Sequence, residues 1–358
     1  MIKYTIATNF DSKLVEGYNQ LNEKYQDAKI TEIFGSLPVS VVGSGRSASS
    51  LPNITKEELK KHIELAHVHG ILFNYLLNAK LNWKELDLNK VTGELDSLLE
   101  AGIDSVTLSD YRLIRLIREK YPTLPINVST ISGVDTFEEA TEYDKLGVRS
   151  ITLNFHTINR NLKKIEEIVK GIDCKIVLYA NSSCLDHCAV RNTHYDYLGR
   201  LSRKESRLEV DPFILWCTKR FLKDQLQLLK NPFIRPEDVK EYQNLGVDTF
   251  KLSDRREPTE CLLELAGVYL AQEYRGNLFT LLFRGEQVRK MTSTLGNIPV
   301  APPRIHIDNT KLTQIDFFKE ITTLERTELE KFYVEATKQA VKVDSESVQR
   351  FSKFIDEC

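Results

Sequence analysis

One short phrase that occurs three times constrains the fold of this chain more than any other feature. The segments EAGIDSVTL, KLGVRSITL and NLGVDTFKL each carry the end of a helical pattern, then a glycine, then a β-rich run. Parallel strands need a long crossover connection, and a helix that leads directly into a strand supplies one. The repeat therefore indicates β/α units arranged around a parallel sheet.

Eight β-rich runs alternate with helix-like, charged segments along most of the chain. They lie at residues 3–9, 29–36, 70–78, 104–110, 126–131, 149–155, 175–181 and 249–254. Eight such units within residues 1–275 match a (β/α)8 barrel of the TIM type. An open doubly wound sheet is less favoured, because no GxGxxG follows the first strand and GSGRS at 43–47 has a different spacing.

The barrel pattern stops near residue 276. We therefore predict that residues 276–358 form a C-terminal extension packed on the barrel. Within it, NIPVAPPRIHIDNTKL is typical of extended chain, and RTELEKFYVEATKQAVKV is typical of an amphipathic helix.

Composition and charge exclude several classes of protein. The chain has 358 residues, a formal net charge of -2 and no apolar run near the roughly 18–20 residues that a membrane span requires. The first residues lack the pattern of a secretory signal, so we expect a cytoplasmic protein. The balanced charge disfavours nucleic acid as a partner, although the basic stretch TKRFLKDQ at 218–225 leaves a local contact open. The six cysteines are unevenly spaced, which argues against a disulfide framework.

Two long segments interrupt the barrel pattern, a glycine- and serine-rich loop at 37–53 and an excursion at 182–235. A connection as long as the second one is usually functional in a compact domain. In a TIM-type barrel the loops after the strands form the catalytic face, so polar residues at the strand ends are candidates for the rim of a site. These candidates are Asn9, Ser36, Asn78, Asp110, Ser129, Thr130, Asn154, Asn181 and Asp254.

The second excursion begins with NSSCLDHCAVRNTH, in which Cys184 and Cys188 directly follow the seventh strand. Thiolates are soft ligands that suit iron–sulfur clusters or zinc, but two are too few for either. Cys217 lies in the same excursion, and His187 and His194 are the nearer donors without sulfur. A redox pair and simple packing are alternatives, but the position at the barrel mouth favours metal binding. The other cysteines lie elsewhere, at Cys174, Cys261 and Cys358.

Four residues predict a site for an anionic group. Arg191 and His194 follow the cysteines, and a guanidinium binds a carboxylate or phosphate with two parallel hydrogen bonds. Lys251 and Arg255 end the eighth strand, and a lysine inside a barrel strand needs an anionic partner or a function. Exposed loops and turns would explain the same residues without a function. We nevertheless take the four as candidates to hold or activate a substrate.

Other familiar motifs give no further site. The histidines of HIELAHVHG lie on a helix that we expect outside the barrel, so we assign no metal to His62, His67 and His69. The chain contains no G-x-S-x-G serine elbow, no HExxH, no P-loop and no EF-hand loop. No motif therefore supports a familiar hydrolase mechanism.

Three stretches resemble the U32 peptidase family, also called collagenase-like proteases. They are NSSCLDHCAVRNTH, PFIRPEDVKEYQNLGVDTFKLSDR, and the region from GIDSVTLSD to DTFEEATEYDKLGVRSITL. The resemblance covers roughly residues 1–280 and implies a TIM-like barrel. It also implies an iron–sulfur protein that supports oxygen-independent hydroxylation of ubiquinone precursors or of tRNA and rRNA bases. The resemblance further implies four cysteine ligands, prephenate as oxygen donor and the pairing of related proteins.

By position in these stretches, Cys184 and Cys188 match the family's cysteines after the seventh strand. Lys251 and Arg255 match its FK-x-x-GR ending, although Asp254 replaces the glycine. The family's cysteine before the last barrel helix is missing, because FIR at 233–235 occupies that region.

The leading hypothesis is a U32-type enzyme that holds an iron–sulfur cluster, of the [4Fe–4S] type, through Cys184, Cys188 and Cys217. Arg191, His194, Lys251 and Arg255 would hold or activate an anionic small-molecule, peptide or RNA substrate. The alternatives are a peptidase, a non-catalytic subunit in a hetero-oligomer with a related U32 protein, and a barrel with structural zinc.

Overall fold

Eight parallel strands close into a barrel in the order of the chain, which confirms the predicted TIM-like fold. The computed structural model describes residues 1–203, 211–283 and 303–356. The last strand pairs with the first, with Tyr4 opposite Phe250, and this pairing closes the sheet. The strands are β1 (Ile2–Ala7), β2 (Ala28–Gly35), β3 (Leu72–Leu77), β4 (Ser105–Leu108), β5 (Ile126–Val128), β6 (Ser150–Thr152), β7 (Lys175–Tyr179) and β8 (Thr249–Leu252).

Helices separate the strands and cover the outside of the barrel. They are α1 (Ser12–Lys24), α2 (Lys56–Val68), α3 (Leu88–Glu100), α4 (Tyr111–Lys120), α5 (Phe137–Asp144), α6 (Phe155–Ile158), α7 (Leu162–Gly171), α8 (Arg191–Leu201), α9 (Pro212–Lys223), α10 (Leu226–Lys230), α11 (Val239–Asn244) and α12 (Thr259–Ala271). The excursion predicted at 182–235 therefore contains helices α8, α9 and α10. No helix in the described ranges is long and apolar enough to cross a membrane.

The three repeated phrases are helix ends that turn into strands. Gly102, Gly147 and Gly246 have φ values of 96°, 66° and 99°, in the left-handed region that glycine adopts without a steric cost. At the third of these ends the Val247 N–H donates to the Tyr242 carbonyl at 3.2 Å. The backward hydrogen bond satisfies a carbonyl that the helix leaves free and directs the chain into the barrel.

Side-chain caps begin several of the helices. Thr55 caps α2 in a reciprocal arrangement with Glu58. Thr136 caps α5. Asp135 accepts hydrogen bonds from Asn154 and from a threonine of α6, and so links the end of β6 to the start of α5.

A polar layer fills the interior of the barrel below the carboxyl ends of the strands. Glu32 is only 6% exposed and accepts hydrogen bonds from Asn74 at 3.3 Å and from Ser105 at 3.1 Å. Arg149 forms a salt bridge with Glu32, and its Nε donates to Asn127 at 2.9 Å. Because these groups satisfy one another, the charges are tolerated inside the barrel.

The C-terminal extension packs helices and a small antiparallel sheet on the barrel. Its elements are α13 (Leu278–Leu282), β9 (Ile305–Ile307), α14 (Asn309–Gln314), α15 (Phe317–Thr323), α16 (Arg326–Ala340), β10 (Val341–Val343) and α17 (Ser345–Asp356). The helix expected from RTELEKFYVEATKQAVKV is α16. Of the predicted extended stretch at 297–312, residues 297–302 lie outside the described residues, as does Cys358.

Arg160, which follows α6, joins the extension to the barrel. Its Nη1 donates to the Lys230 carbonyl at 3.0 Å and to the Tyr333 hydroxyl of α16 at 2.5 Å. The same guanidinium lies over the ring of Phe317, 5.9 Å from the centroid. The guanidinium therefore contacts both parts of the chain at once.

Candidate active site

A cavity of about 490 Å³ opens at the carboxyl ends of the barrel strands. Helices α8 and α9 and the loop at 37–53 contribute to its walls. All seven residues predicted to form the site line this cavity, namely Cys184, Cys188, Arg191, His194, Cys217, Lys251 and Arg255. The structure thus brings together residues that are up to 71 positions apart in the chain. The roles assigned to them stay predictions.

Three of the free thiols lie on one part of the cavity wall. The thiols of Cys188 and Cys217 are hydrogen-bonded to each other, which lowers the pKa of Cys188 and raises that of Cys217. Cys184 is exposed to the cavity, and desolvation there raises its pKa to about 11, although Arg46 acts in the opposite direction. Cys184 also acts electrostatically on both of the other thiols, so the three form one group.

The loop between β7 and α8 positions the first two thiols. Its backbone is held by a hydrogen bond from the Cys184 N–H to Ser182 Oγ at 3.2 Å. The Leu185 side chain is buried in the core. The Cys188 carbonyl accepts from the Arg191 N–H at 3.2 Å at the start of α8. Helix α9 brings Cys217 to the same wall from the other side of the excursion.

His187, one of the donors suggested by the sequence, does not join the thiols. Its side chain is 71% exposed, and its Nε2 lies 3.9 Å from Asp186. A positive φ of 43° at His187 turns the chain at this point. His187 is therefore not among the residues that line the cavity.

The three thiols are not arranged as a site for a single metal ion. In residues 1–203, 211–283 and 303–356, no group of three or more histidine, cysteine, aspartate or glutamate side chains has the arrangement of a one-metal site. Cysteine thiolates are also the usual ligands of iron–sulfur clusters. The three thiols supply the soft donors that such a cluster requires, and no fourth cysteine of the described residues lines the cavity.

His194 is held by an acid and an aromatic ring at the cavity wall. Its Nε2 lies 2.9 Å from Asp211 Oδ2, and its ring stacks on Phe213 with a centroid distance of 5.0 Å. Burial acts to raise the pKa of Asp211, but the hydrogen bonds from His194 and from two backbone N–H groups lower it overall. Asp211 thus fixes the orientation of the imidazole.

The predicted cations occupy different sides of the cavity. Arg191 donates to Asn154 at the end of β6. Arg255 is 4% exposed and donates to the hydroxyl groups of Ser36 at 2.6 Å and Ser44 at 3.3 Å. Hydrogen bonds to neutral oxygens hold these side chains in place and leave their charge available to a ligand.

Lys251 projects from β8 with its Nζ 4.0 Å from the centre of the Phe34 ring. Burial lowers the pKa of Lys251 to about 8, although the carboxylate of Glu32 acts in the opposite direction. The nearby guanidinium groups of Arg255, Arg149 and Arg46 lower it further. Glu32 supplies the anionic partner expected for a lysine on a barrel strand, but the described residues include no salt bridge to Lys251.

Arg46 was missed by the sequence analysis, although it lies in the GSGRS stretch. It lines the cavity and acts electrostatically on Cys184, Lys251 and Arg255. The loop is anchored because the Gly45 N–H donates to Asn78 Oδ1 at 3.2 Å. The glycine- and serine-rich composition of a long loop after a barrel strand was the available signal.

His156 was also missed. It is 4% exposed at the cavity wall, where its Nδ1 lies 3.3 Å from the Leu185 carbonyl. Burial, with Arg191 nearby, lowers the pKa of His156 to about 3, so the imidazole is neutral. Its Nε2 is buried and has no hydrogen-bond partner among the described residues.

The polar strand ends divide into two groups. Asn78, Ser129, Thr130, Asn181 and Asp254 line the cavity. The others support the rim, because Ser36 and Asn154 bind Arg255 and Arg191, Asn9 binds the turn before α12, and Asp110 caps α4. Asp254 is paired with Arg256 at 3.0 Å. Burial acts to raise the pKa of Asp254, but this arginine holds it well below its usual range.

The histidines of α2 lie away from the cavity. His62 is buried, with its Nε2 2.8 Å from Thr8 Oγ1. His67 pairs with Asp104 at 2.8 Å near the amino end of β4. Both have packing and hydrogen-bonding partners that account for them.

The sequence model of Peptidase family U32 matches residues 42–272, which include all seven residues predicted to form the site. An uncharacterized protease of Methanocaldococcus jannaschii is 31% identical over 267 residues, which cover 74% of this chain and 78% of the relative. The tRNA hydroxylation protein P2 of Bacillus subtilis is 22% identical over 231 residues, which cover 60% of this chain and 72% of the relative.

A solved structure of a U32 peptidase shares the fold. It aligns with a TM-score of 0.53 at 15% sequence identity, and the alignment covers 72% of this chain and 95% of that one. The match to the sequence model spans well over half of the chain, and the strand order, the cavity and the cysteine-bearing loop agree with the resemblance seen in the sequence. This chain belongs to peptidase family U32.

Proposed function

We propose that this chain is an iron–sulfur enzyme that supports an oxygen-independent hydroxylation, or a related modification, of an anionic substrate. One observation carries the proposal: three thiols share a cavity with four cations, Arg46, Arg191, Lys251 and Arg255, none of which forms a salt bridge with a carboxylate of the described residues. The thiols would bind a cluster on one wall of the cavity, and the cations would attract an anion beside it.

Cys184, Cys188 and Cys217 are the proposed cluster ligands. When bound, the cluster would supply a redox centre at the cavity wall. Hydrogen bonding to Cys217 already favours the thiolate of Cys188, which is the form that binds metal. With three thiolates, one iron of a [4Fe–4S] cluster would have no cysteine ligand from the described residues that line the cavity.

The cations are the proposed anchors for the substrate. Arg255 and Arg191 are positioned by hydroxyl and amide groups, so they are oriented before a ligand arrives. Lys251 projects from β8 into the same cavity, where burial strengthens the effect of its charge on a ligand. Prephenate, the oxygen donor that the family resemblance implies, carries two carboxylates and suits such a site.

His194 is the proposed proton-handling residue. Asp211 engages its Nε2, so Nδ1 is the nitrogen that is left to exchange a proton with a bound group. The relative named a tRNA hydroxylation protein supports the reaction class, and RNA is a substrate candidate for this chain on that ground.

A peptidase is the second candidate, because another relative is named a protease. Peptide hydrolysis needs an activated nucleophile or a metal-bound water. In the described part of the chain, no histidine of the cavity is hydrogen-bonded to a serine or cysteine side chain. A non-catalytic role beside a related U32 subunit would be revealed by activity that appears only when that subunit is added.

The test is anaerobic purification of the native chain, Cys184→Ala and Cys261→Ala, with iron, sulfide and zinc assays and a visible spectrum. Cys261 lies on α12 outside the cavity and is the matched control. We expect iron, sulfide and a broad visible band in the native chain and the control, and their loss in Cys184→Ala. Zinc alone, or a colourless native protein reconstituted without gain of iron, would refute the cluster.

A further inference from the structure

Helix α9 has two different faces. Its inner face carries Cys217, Thr218 and Phe221 to the cavity wall. Its outer face presents Trp216, which is 36% exposed and is one of the two tryptophans in the chain. The other tryptophan is Trp83, which is half-buried and whose indole N–H donates to Asp110 at 3.0 Å. An exposed tryptophan is unusual, because its large apolar ring is normally buried.

Three cations accompany the exposed indole on the same face of α9. Lys219, Arg220 and Lys223 follow Trp216 at spacings of three, four and seven residues, which place them on one stripe of a helix. The Arg220 guanidinium lies 5.6 Å from the centre of the indole ring. The stripe itself contains no acidic residue, although Lys219 reaches Asp356 of α17 at 2.8 Å. We call these four residues the α9 stripe.

The composition of the α9 stripe favours nucleic acid over a protein as its partner. A protein interface is built around several apolar side chains, whereas this stripe has a single aromatic ring among cations. Single-stranded nucleic acid is bound by the same combination as in the stripe, because bases stack on aromatic rings and cations neutralise phosphates. The overall charge of -2 gives no general attraction, so the binding would depend on this local patch.

The α9 stripe lies on the helix that forms part of the cavity wall. A helix is roughly 10–12 Å across with its side chains, so the stripe is about one helix diameter from Cys217. A nucleotide that enters the cavity would leave its neighbours in the strand outside it, where α9 presents the stripe.

We propose that the α9 stripe binds single-stranded RNA next to the nucleotide that enters the cavity, with Trp216 as the stacking platform. The inference rests on the proposed function for its link to the chemistry, but the binding itself does not require the cluster. The stripe would then determine which strand reaches the cavity.

Two measurements test the stripe with a fluorescein-labelled, mixed-sequence RNA of twelve nucleotides as the probe. The first is anisotropy titration at several salt concentrations. The second is tryptophan emission in a Trp83→Phe background, in which Trp216 is the only tryptophan left. The variants are Trp216→Ala and the pair Arg220→Gln with Lys223→Gln. The charge-matched control is Lys24→Gln with Lys120→Gln, at the carboxyl ends of α1 and α4, which are at the opposite end of the barrel.

We expect RNA to quench the Trp216 emission, because a stacked base contacts the indole. Trp216→Ala should weaken binding about fivefold or more. The Arg220 and Lys223 pair should lower the slope of log affinity against log salt by about 1.4, because two phosphate contacts are lost. The control pair should bind as the native chain does.

Equal weakening in the control pair, or unchanged Trp216 emission at saturating RNA, would overturn the proposal. Self-association that Trp216→Ala abolishes, without RNA binding, would overturn it in favour of a contact between protein chains. Iron and sulfide assays on the same preparations separate the two proposals. A protein with its cluster but without RNA binding refutes only the stripe, and an RNA-binding protein without a cluster refutes only the proposed function.

Discussion

Replacing Lys251 with methionine should make the protein more stable at neutral pH. Lys251 lies on a barrel strand above a polar layer, and burial lowers its pKa to about 8. An ordinary lysine has a pKa of about 10.4 and is protonated in the unfolded chain. The folded protein therefore holds a charge that the interior disfavours, and methionine of similar length removes it.

The pKa of about 8 sets the size of the effect. At about 1.4 kcal/mol per pH unit, the lowered pKa corresponds to about 3 kcal/mol of destabilisation. The lost contact with the Phe34 ring offsets about 1 kcal/mol of the gain. We expect Lys251→Met to raise the free energy of unfolding by about 2 kcal/mol at pH 7.

The sign of the pH dependence follows from proton binding. Between pH 8 and about 10.4 the unfolded chain holds the lysine proton and the folded chain releases it, so the stability of the native protein rises with pH. The advantage of Lys251→Met is therefore complete below pH 8 and declines through this window. Lys29, an exposed lysine of β2, provides the control Lys29→Met.

Urea unfolding of the native chain and both variants at pH 7, 8, 9 and 10 measures their free energies of unfolding. The pH effects that all three proteins share cancel in the differences between them. A gain from Lys251→Met that is independent of pH would refute the assigned cause. A loss of stability at pH 7 would show that the lysine is satisfied in the absence of a ligand, and would refute the idea that its charge is kept for one.

Two further substitutions test the parts of the structure that hold the site. Gly43→Ala should lower the free energy of unfolding by about 2 kcal/mol or more, because φ is 82° there and the new Cβ would lie 2.2 Å from Ser202 Oγ. Thermal unfolding measures the loss, and Gly93→Ala is the control because its Cβ meets no atom within 4 Å. Arg160→Ala should lower the free energy of unfolding by about 3 kcal/mol or more, because it removes the hydrogen bonds from this guanidinium to three backbone carbonyls and a tyrosine hydroxyl. Urea unfolding beside Arg115→Ala, an exposed arginine, checks this.

A loss of stability as small as that of the paired control would contradict either expectation. For Gly43 the result would mean that the loop at 37–53 adjusts without strain, and for Arg160 it would mean that water replaces the lost hydrogen bonds.

Local signals in the sequence determined the barrel and the place of its mouth. A helix that turns directly into a strand needs a residue in the left-handed conformation at its end, which favours glycine, as at Gly147 and Gly246. The same phrase therefore recurs at each turn. The eight-fold alternation then gave the closed sheet, and the loop after the seventh strand placed Cys184 and Cys188 at its mouth. These features depend on neighbouring residues and on the regular geometry of strands and helices.

Only the tertiary structure decided how the site is assembled. Arg46 enters the cavity, His194 pairs with Asp211, and His187 turns outward, and no spacing in the sequence indicated these outcomes. The charge state of Lys251 likewise depends on Glu32 and on guanidinium groups from distant parts of the chain. Hydrogen bonds, burial and electrostatic forces act between groups that approach in space, so they are settled only when the barrel closes.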